Sequence, residues 1–217
     1  MDLRSELRRV VDSLSAPAKS ASGAEKKNYT ERLSQEFTEL IACRLQDLGL
    51  TKVRAPHGRD KQFMGGYGTK GVDVYLSDEK HGLLLTSGTK GIVFDVKKNL
   101  KNRYRDMVME ALELHKRFPY AVCGHLLFLG QQESARVSHA FGTVLGEAQA
   151  LLAGITGRNR PDEAPEVYEV MGILLIEPGK SGSVDLHASG IPDHLSATTY
   201  CERLVETFRR RNPFIGE

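Results

Sequence analysis

The chain has 217 residues, of which 40% are hydrophobic and 27% charged, proportions typical of a folded globular protein rather than a disordered or fibrous one. Lys and Arg total 30 against 28 for Asp and Glu, so the formal net charge is only +2. The three cysteines, Cys43, Cys123 and Cys201, lie far apart with no CxxC pair, which argues against a disulfide framework or a zinc knuckle.

The expected compartment follows from the apolar segments. The N-terminus lacks a basic cap followed by an apolar run, so no secretory signal is indicated. The longest nearly apolar run, residues 120–129, is too short to span a bilayer, which needs about 20 residues. We therefore expect a cytoplasmic protein with no membrane partner.

The start of the chain predicts two amphipathic helices joined by a linker. Apolar residues recur at helical spacing over 2–14 and again over 25–48. The segment 15–23 between them is small and contains Pro and Gly, as linkers do. We therefore divide the chain into an N-terminal helix and linker, residues 1–22, and a single α/β domain, residues 23–217.

A glycine-rich segment, residues 57–70, follows the second helix and predicts a loop. Its GGYGTKG run lacks the spacing of a Walker A phosphate loop, and it leads into a strand rather than a helix. The commonest nucleotide-binding motif is thereby excluded.

Alternating predicted strands and helices fill the rest of the chain. Residues 72–76 and 81–89 predict a hairpin, and 92–96 a third short strand. Further on, the pattern predicts helices over 99–117, 132–154 and 194–211, strands over 120–129 and 167–176, and a loop over 178–192. This order is typical of an α/β fold with a central mixed sheet flanked by helices.

The hairpin brings two chemically active residue types towards each other. With a turn centred between Glu79 and Lys80, paired positions sum to about 159, which places Asp73 opposite Thr86 and close to Lys90. A carboxylate that holds a divalent cation, beside a lysine that orients water, forms a hydrolytic pair. An exposed ion pair of little energetic consequence is the competing interpretation.

Residues 36–129 resemble the PD-(D/E)xK nuclease superfamily, in particular its restriction-endonuclease-like branch. The resemblance is carried by the helix with Glu36 and Glu39, by Gly71-Val72-Asp73-Val74, by a leucine-rich strand ending in Gly88-Thr89-Lys90, and by the basic helix and apolar strand within 98–122. It implies a restriction-endonuclease-like core with additional C-terminal helices and DNA hydrolysis dependent on Mg²⁺ or Mn²⁺. Asp73 would bind the metal, Glu39 would support it, and Lys90 would be catalytic.

The chain departs from this pattern at Gly88, where the superfamily has an acid two positions before its lysine. An acid on the following helix, Glu110 or Glu113, could supply the missing ligand. Alternatively, Asp95-Val96-Lys97 is the D-x-K motif, with Asp95 on the metal and Lys97 catalytic. A third interpretation is a catalytically degenerate subunit that binds DNA or scaffolds a bacterial defence complex, since a fold does not guarantee activity.

Basic residues cluster on the helix after the hairpin and predict a DNA-binding surface, although a solvated helix face would also be basic. Contacts of this kind hold the phosphate backbone without reading sequence. Cutting both strands would favour a two-fold homodimer, and membership of an antiviral defence complex is the other expected assembly. The predicted DNA-binding residues are Lys97, Lys98, Lys101, Arg103, Arg105, Lys116 and Arg117.

Overall fold

A five-stranded mixed sheet with helices on both faces forms the centre of the protein in a computed structural model, which describes residues 3–56, 60–179, 184–185, 190–213 and 215. None of the described helices is long and apolar enough to cross a bilayer. In chain order the elements are α1 Leu3–Ser13, α2 Gly23–Asp47, β1 Lys61–Met64, β2 Thr69–Val72, β3 Val74–Asp78, β4 Gly82–Ile92, α3 Val96–Arg117, β5 Val122–Gly130, α4 Gln131–Ser134, β6 Val137–Ser138, β7 Gly142–Thr143, α5 Val144–Ala153, β8 Val170–Ile176, β9 Val184–Asp185 and α6 Tyr200–Arg211.

The strand order in the sheet is β3-β4-β5-β8-β9. The outer strands β3 and β9 are antiparallel to their neighbours, whereas β4, β5 and β8 run parallel to one another. Parallel neighbours need a crossover, and α3 provides the one between β4 and β5. The predicted α/β class with a central mixed sheet flanked by helices is confirmed.

Two hydrophobic layers cover the sheet because successive side chains of a strand point to opposite faces. All nine residues of β5 are buried. Its Val122, Leu126 and Phe128 join one core with the apolar residues of α1, α2 and α6. Cys123, Leu127 and Leu129 join a second core with those of α3 and α5. The N-terminal helix α1 therefore shares a core with the sheet.

The hairpin between β3 and β4 is shifted from the predicted register. Val74 pairs with Ser87 and Tyr75 with Thr86, so Thr86 does not lie opposite Asp73 as predicted. The turn is centred one half-residue later, since Asp78 pairs with Gly82, and a bulge at Leu76/Ser77 adds a further residue to β4. As a result Asp73, just before β3, lies next to the Gly88-Thr89 part of β4.

The predicted third strand over 92–96 is wrong, because β4 continues to Ile92 and α3 begins at Val96. The strand passes through Gly91, where a Cβ atom would stand only 2.0 Å from the ring of Phe128. Asp95 makes the sharp turn into α3 with a φ of 52°, in the left-handed region that Asp tolerates better than most residues.

Two predicted segments contain additional small hairpins. The described part of the glycine-rich segment forms β1 and β2 joined by a tight turn, in which the Gly65 N–H donates to the Gly68 carbonyl; residues 57–59 lie outside the described residues. The predicted single helix over 132–154 is instead α4, the β6–β7 hairpin and α5. In the predicted loop 178–192 the structure places β9, with residues 180–183 and 186–189 not described.

The backbone packs closely around Gly130 at the end of β5. A Cβ atom there would stand 2.1 Å from the Val93 carbonyl oxygen, a backbone atom that cannot rotate away. Gly130→Ala should therefore lower the free energy of unfolding by about 1–3 kcal/mol, as overpacking does. Gly23→Ala, with no atom within 4 Å, is the matched control and should cause no loss. Urea unfolding measures both, and an unchanged Gly130→Ala would contradict the close approach.

Candidate active site

Asp73 and Lys90 lie together where β4 approaches the segment before β3. Lys90 Nζ is 3.5 Å from Asp73 Oδ2, with 34% and 13% of the two side chains exposed. The Thr89 backbone N–H donates to the same Oδ2 at 2.8 Å and orients the carboxylate. The two groups therefore share one side of the sheet, as the hairpin analysis expected.

Glu110 of α3 lies directly over Gly88 of β4. A Cβ atom at Gly88 would stand 2.9 Å from Glu110 Oε1, so the carboxylate occupies the space that a side chain at position 88 would need. Glu113, the other acid considered on this helix, is engaged elsewhere and accepts the Tyr67 backbone N–H at 2.8 Å. Of the two helix acids, Glu110 is thus the one at the position of the missing strand acid.

The carboxyl group of Glu110 is unusual because it is nearly buried and has no hydrogen-bond donor among the residues that the structure describes. Its side chain is 13% exposed, and Oε1 lies 3.8 Å from His125 Nδ1. Burial raises the pKa of Glu110 to about 7; the Lys90 charge opposes the shift and the Asp73 charge adds to it. The group therefore changes charge near neutral pH.

His125 lies under Glu110 on β5 and is completely buried. Neither ring nitrogen has a hydrogen-bond partner in the described part of the chain. Burial, and then the charges of Lys90 and Arg103, lower the pKa of His125 to about 3, so its ring is neutral at physiological pH. A buried polar group without a partner is costly and calls for a physical reason.

An open cleft of about 860 Å³ lies between α2, the end of β4 and the start of α3, and Asp73 and Lys90 line it, whereas Glu110 and His125 lie outside its lining. Six carboxylates and four basic side chains line it, so the wall is more acidic than basic. Glu39, the predicted supporting acid, is exposed in this wall. The acids are Glu31, Glu39, Asp60, Asp73, Asp95 and Asp106, and the bases are Lys26, Lys27, Lys90 and Arg103.

The two residues of the alternative D-x-K motif, Asp95 and Lys97, do not lie on a strand. Asp95 lines the cleft, but it stands at the start of α3 instead of on a strand. Lys97 lies in the first turn of that helix, where its Nζ donates to the Val137 carbonyl at 3.2 Å. Unlike Lys90, Lys97 is not among the residues that line the cleft.

Of the seven predicted DNA-binding residues, the structure places only Arg103 in the cleft wall. Lys98 and Arg105 are exposed on another face of α3, and Lys101 lies 4.0 Å from Glu147. Lys116 packs at Gly66, and Arg117 stacks 5.9 Å over the Phe118 ring.

Sequence reasoning missed the wall residues Lys26, Lys27, Asn99 and Asn102. The signal for the last two was helical spacing, because Asn99, Asn102, Arg103, Asp106 and Glu110 form one stripe of α3.

A second buried polar cluster joins α3, β5 and α6 around Glu169. The side chains of His115, Cys123 and Glu169 offer ligand atoms within 4.8 Å of one another, as metal sites do. Glu169 Oε1, however, accepts from Arg158 Nη1 at 2.7 Å and Arg211 Nη1 at 2.8 Å. Its Oε2 accepts from the Cys123 N–H at 2.8 Å and faces His115 Nε2 at 3.2 Å.

These bonds make the Glu169 cluster an ion-pair network. Burial alone would lower the pKa of His115, but the neighbouring Cys123 and Glu169 outweigh it and raise the pKa to about 10. The protonated ring then donates from Nδ1 to the Pro165 carbonyl at 2.8 Å and from Nε2 to Glu169. With its ring protonated, His115 is not in the form that binds a metal, and burial raises the pKa of the Cys123 thiol.

No similarity to other proteins supports the family resemblance. Comparisons with protein-family models, with curated proteins and with solved structures gave no match. The geometry around Asp73, Lys90 and Glu110 is therefore the basis for assigning a function.

The Glu169 network predicts a large effect on stability. Glu169→Gln leaves Arg158, Arg211 and His115 without their anion, and breaking such a buried pair costs about 3–5 kcal/mol in the free energy of unfolding. Glu31→Gln removes an exposed pair with Lys27 and should change it by less than about 0.5 kcal/mol. Urea unfolding compares the two variants; equal effects would contradict the network.

Proposed function

We propose that the protein is a DNA endonuclease that hydrolyses phosphodiester bonds with Mg²⁺ or Mn²⁺, using Asp73, Glu110 and Lys90. One observation carries the proposal. The Glu110 carboxylate lies over Gly88, where the superfamily has its second acid, beside the ion pair of Asp73 and Lys90. Position 88 of β4 lacks the acid that the superfamily has there, and in this proposal Glu110 of the following helix supplies it.

The donor set suits a hard divalent cation, which prefers carboxylate oxygens. Asp73 uses Oδ2 for Thr89 and Lys90, and its other oxygen makes no hydrogen bond within the described residues. Glu110 is nearly buried and has no donor in the part of the chain that the structure describes, and a cation would satisfy it. Glu39, in the same cleft wall, offers a further oxygen near the rim.

The residues of the site divide the reaction among them. When bound, Mg²⁺ supplies the positive charge that polarises a phosphate and acidifies water. Asp73 and Glu110 hold the cation, and the Lys90 ammonium, one-third exposed to the cleft, donates a hydrogen bond that orients the attacking water. Attack of that water would form a new P–O bond and break one P–O ester bond, and the proton that the water loses would go to the leaving oxygen, so that a phosphate monoester and a hydroxyl end result.

The charge of the cleft predicts how DNA enters it. Lys26 and Lys27 of α2 and Arg103 of α3 line the cleft and suit contacts with backbone phosphates. The excess of carboxylates would repel a polyanion in the absence of a cation. We therefore expect divalent cations to promote DNA binding to the cleft as well as cleavage. A homodimer that cuts both strands remains part of the proposal.

Substitutions of the three site residues test the activity directly. Asp73→Asn, Glu110→Gln and Lys90→Met should each reduce Mg²⁺-dependent cleavage of linear duplex DNA by about 100-fold or more, a typical loss when one preorganised electrostatic contact of a catalytic site is removed. Asp95→Asn and Lys97→Met are the matched controls from the alternative motif and should stay close to wild type. Gel assays of single-turnover cleavage measure all five variants.

The outcomes of that assay separate the proposed functions. If the Asp95 and Lys97 variants lose cleavage and the Lys90 variant keeps it, the catalytic residues are those of the alternative motif, Asp95 and Lys97. DNA binding by the wild type, without cleavage in Mg²⁺ or Mn²⁺, would instead support a catalytically degenerate subunit that binds DNA or scaffolds a defence complex.

The raised pKa of Glu110, about 7, predicts that metal affinity depends on pH. The cation binds the charged carboxylate, so Mn²⁺ affinity should rise between pH 6 and pH 8 and level off above it. Calorimetric titration of Mn²⁺ in two buffers should show proton release near pH 6.5 that is absent in Glu110→Gln. An affinity that does not change over this range would contradict Glu110 as a ligand.

The same shift predicts the stability of the metal-free protein. Because the folded pKa lies above the ordinary value of 4.5, Glu110 favours folding at low pH, and this contribution is lost as pH rises from 4.5 through about 7. At pH 8 the cation-free Glu110→Gln variant should therefore be more stable than wild type, by about 2–3 kcal/mol in urea unfolding. At pH 4 the two proteins should differ little. A less stable Glu110→Gln at pH 8 would contradict the shift.

A further inference from the structure

The neighbourhood of Glu110 contains one residue that the proposed reaction does not use, His125. Gly88 and His125 are direct partners in the register between β4 and β5. A Cβ atom at Gly88 would stand 2.6 Å from His125 Nδ1 and 2.9 Å from Glu110 Oε1. The imidazole and the carboxylate therefore share the space that a side chain at position 88 would fill.

The ring of His125 is held in place from its other side. It packs edge-on against Tyr168, with ring centroids 5.6 Å apart and an interplanar angle of 68°. The Tyr168 hydroxyl donates to the Met107 carbonyl of α3 at 2.9 Å, one turn before Glu110. Tyr168 thus links the position of the imidazole to the helix that carries the carboxylate.

Within the described residues, the two ring nitrogens of His125 lack hydrogen-bond partners, although the Glu110 carboxylate lies nearby. Both ring nitrogens are buried without a hydrogen-bond partner among the described residues, and the nearest anionic atom is Glu110 Oε1, 3.8 Å from Nδ1. A movement of about 1 Å closes this distance to hydrogen-bond length. A neutral ring with its proton on Nδ1 can donate to the carboxylate without adding a positive charge that would compete with a cation.

We infer that His125 is a positioning residue for Glu110: its Nδ1–H donates to the Glu110 carboxylate and holds that oxygen over Gly88, facing Asp73. The inference rests on the proposed function, because the carboxylate is positioned for a divalent cation. It also gives a reason for a glycine at position 88. Gly88 leaves room for the pair, and a histidine on the neighbouring strand supports an acid that the helix, and not the strand, supplies.

Two substitutions of His125 separate a donor from a space filler. His125→Leu removes the N–H while filling most of the volume, and His125→Asn keeps an amide N–H close to the position of Nδ1. Titration of the full-length chain with Mn²⁺ alone, followed by electron paramagnetic resonance, should show affinity about 10–100-fold weaker for His125→Leu, as for other supports of metal ligands. Affinity close to wild type is expected for His125→Asn.

Equal Mn²⁺ affinities in the two His125 variants, whether both weak or both tight, would overturn the inference. Gly88→Ala provides a second test if His125→Leu does not fold. Its added Cβ would displace the imidazole and the carboxylate, so Mn²⁺ affinity should fall as it does in His125→Leu. Wild-type affinity in a folded Gly88→Ala would also overturn the inference, and thermal melting confirms folding of each variant.

A cation-free measurement separates this inference from the proposed function. In ¹⁵N-histidine NMR spectra at pH 8, we expect the His125 proton on Nδ1, with a resonance that shifts in Glu110→Gln. A proton on Nε2, or no shift, overturns the inference even if the wild type binds Mn²⁺. The expected spectra in a wild type that binds no Mn²⁺ would support the pairing of His125 with Glu110 and would reject only the metal site.

Discussion

The arrangement of the candidate site depends on one close approach, that of the Glu110 carboxylate to the backbone of β4 at Gly88. Any side chain at position 88 would prevent it, and it places a second acid next to Asp73 in a nearly buried position. Lys90 is the cation nearest to Asp73, and a single ammonium cannot neutralise two carboxylates. Above the raised pKa of Glu110, about 7, the site therefore holds two charged carboxylates beside one ammonium, a charge that a divalent cation would relieve.

Two nearly buried glutamates in the same protein illustrate the difference between a structural and a functional carboxylate. Glu169 has donors on both oxygens, from two arginines, a backbone N–H and a histidine, and its charge is fully compensated. Glu110 has none within the described residues. The arrangement around Glu169 is explained by the stability of the fold, because every buried polar atom of that carboxylate is paired. The arrangement around Glu110 costs stability, and the proposed binding of a cation would supply the compensation that folding alone does not.

Sequence patterns predicted the parts of the fold that depend on apolar periodicity. The buried strands β5 and β8 and the helices α1, α2, α3 and α6 were found in this way, since two covered faces require continuous apolar runs. The β1–β2 hairpin was missed because glycine dominates it, and the register of β3 with β4 was missed because a bulge leaves no clear signal in one sequence. Lys90 and Asp73 were nevertheless brought together, because a shift of one or two residues along a strand is shorter than the reach of a lysine side chain.

The candidate site shows how an acid that is absent from one position of a strand can be supplied in space by a helix. A strand motif places its second acid by the alternation of the strand, two residues before the lysine. A helix that crosses over the same strand can deliver a carboxylate to that point from a position 22 residues further along the sequence, provided that the strand residue is a glycine. The carboxylate on a helix loses the fixed orientation that the strand backbone would give it. A support from the neighbouring strand then becomes necessary, and His125, paired with Gly88 in the sheet, stands at the position from which such support can be given.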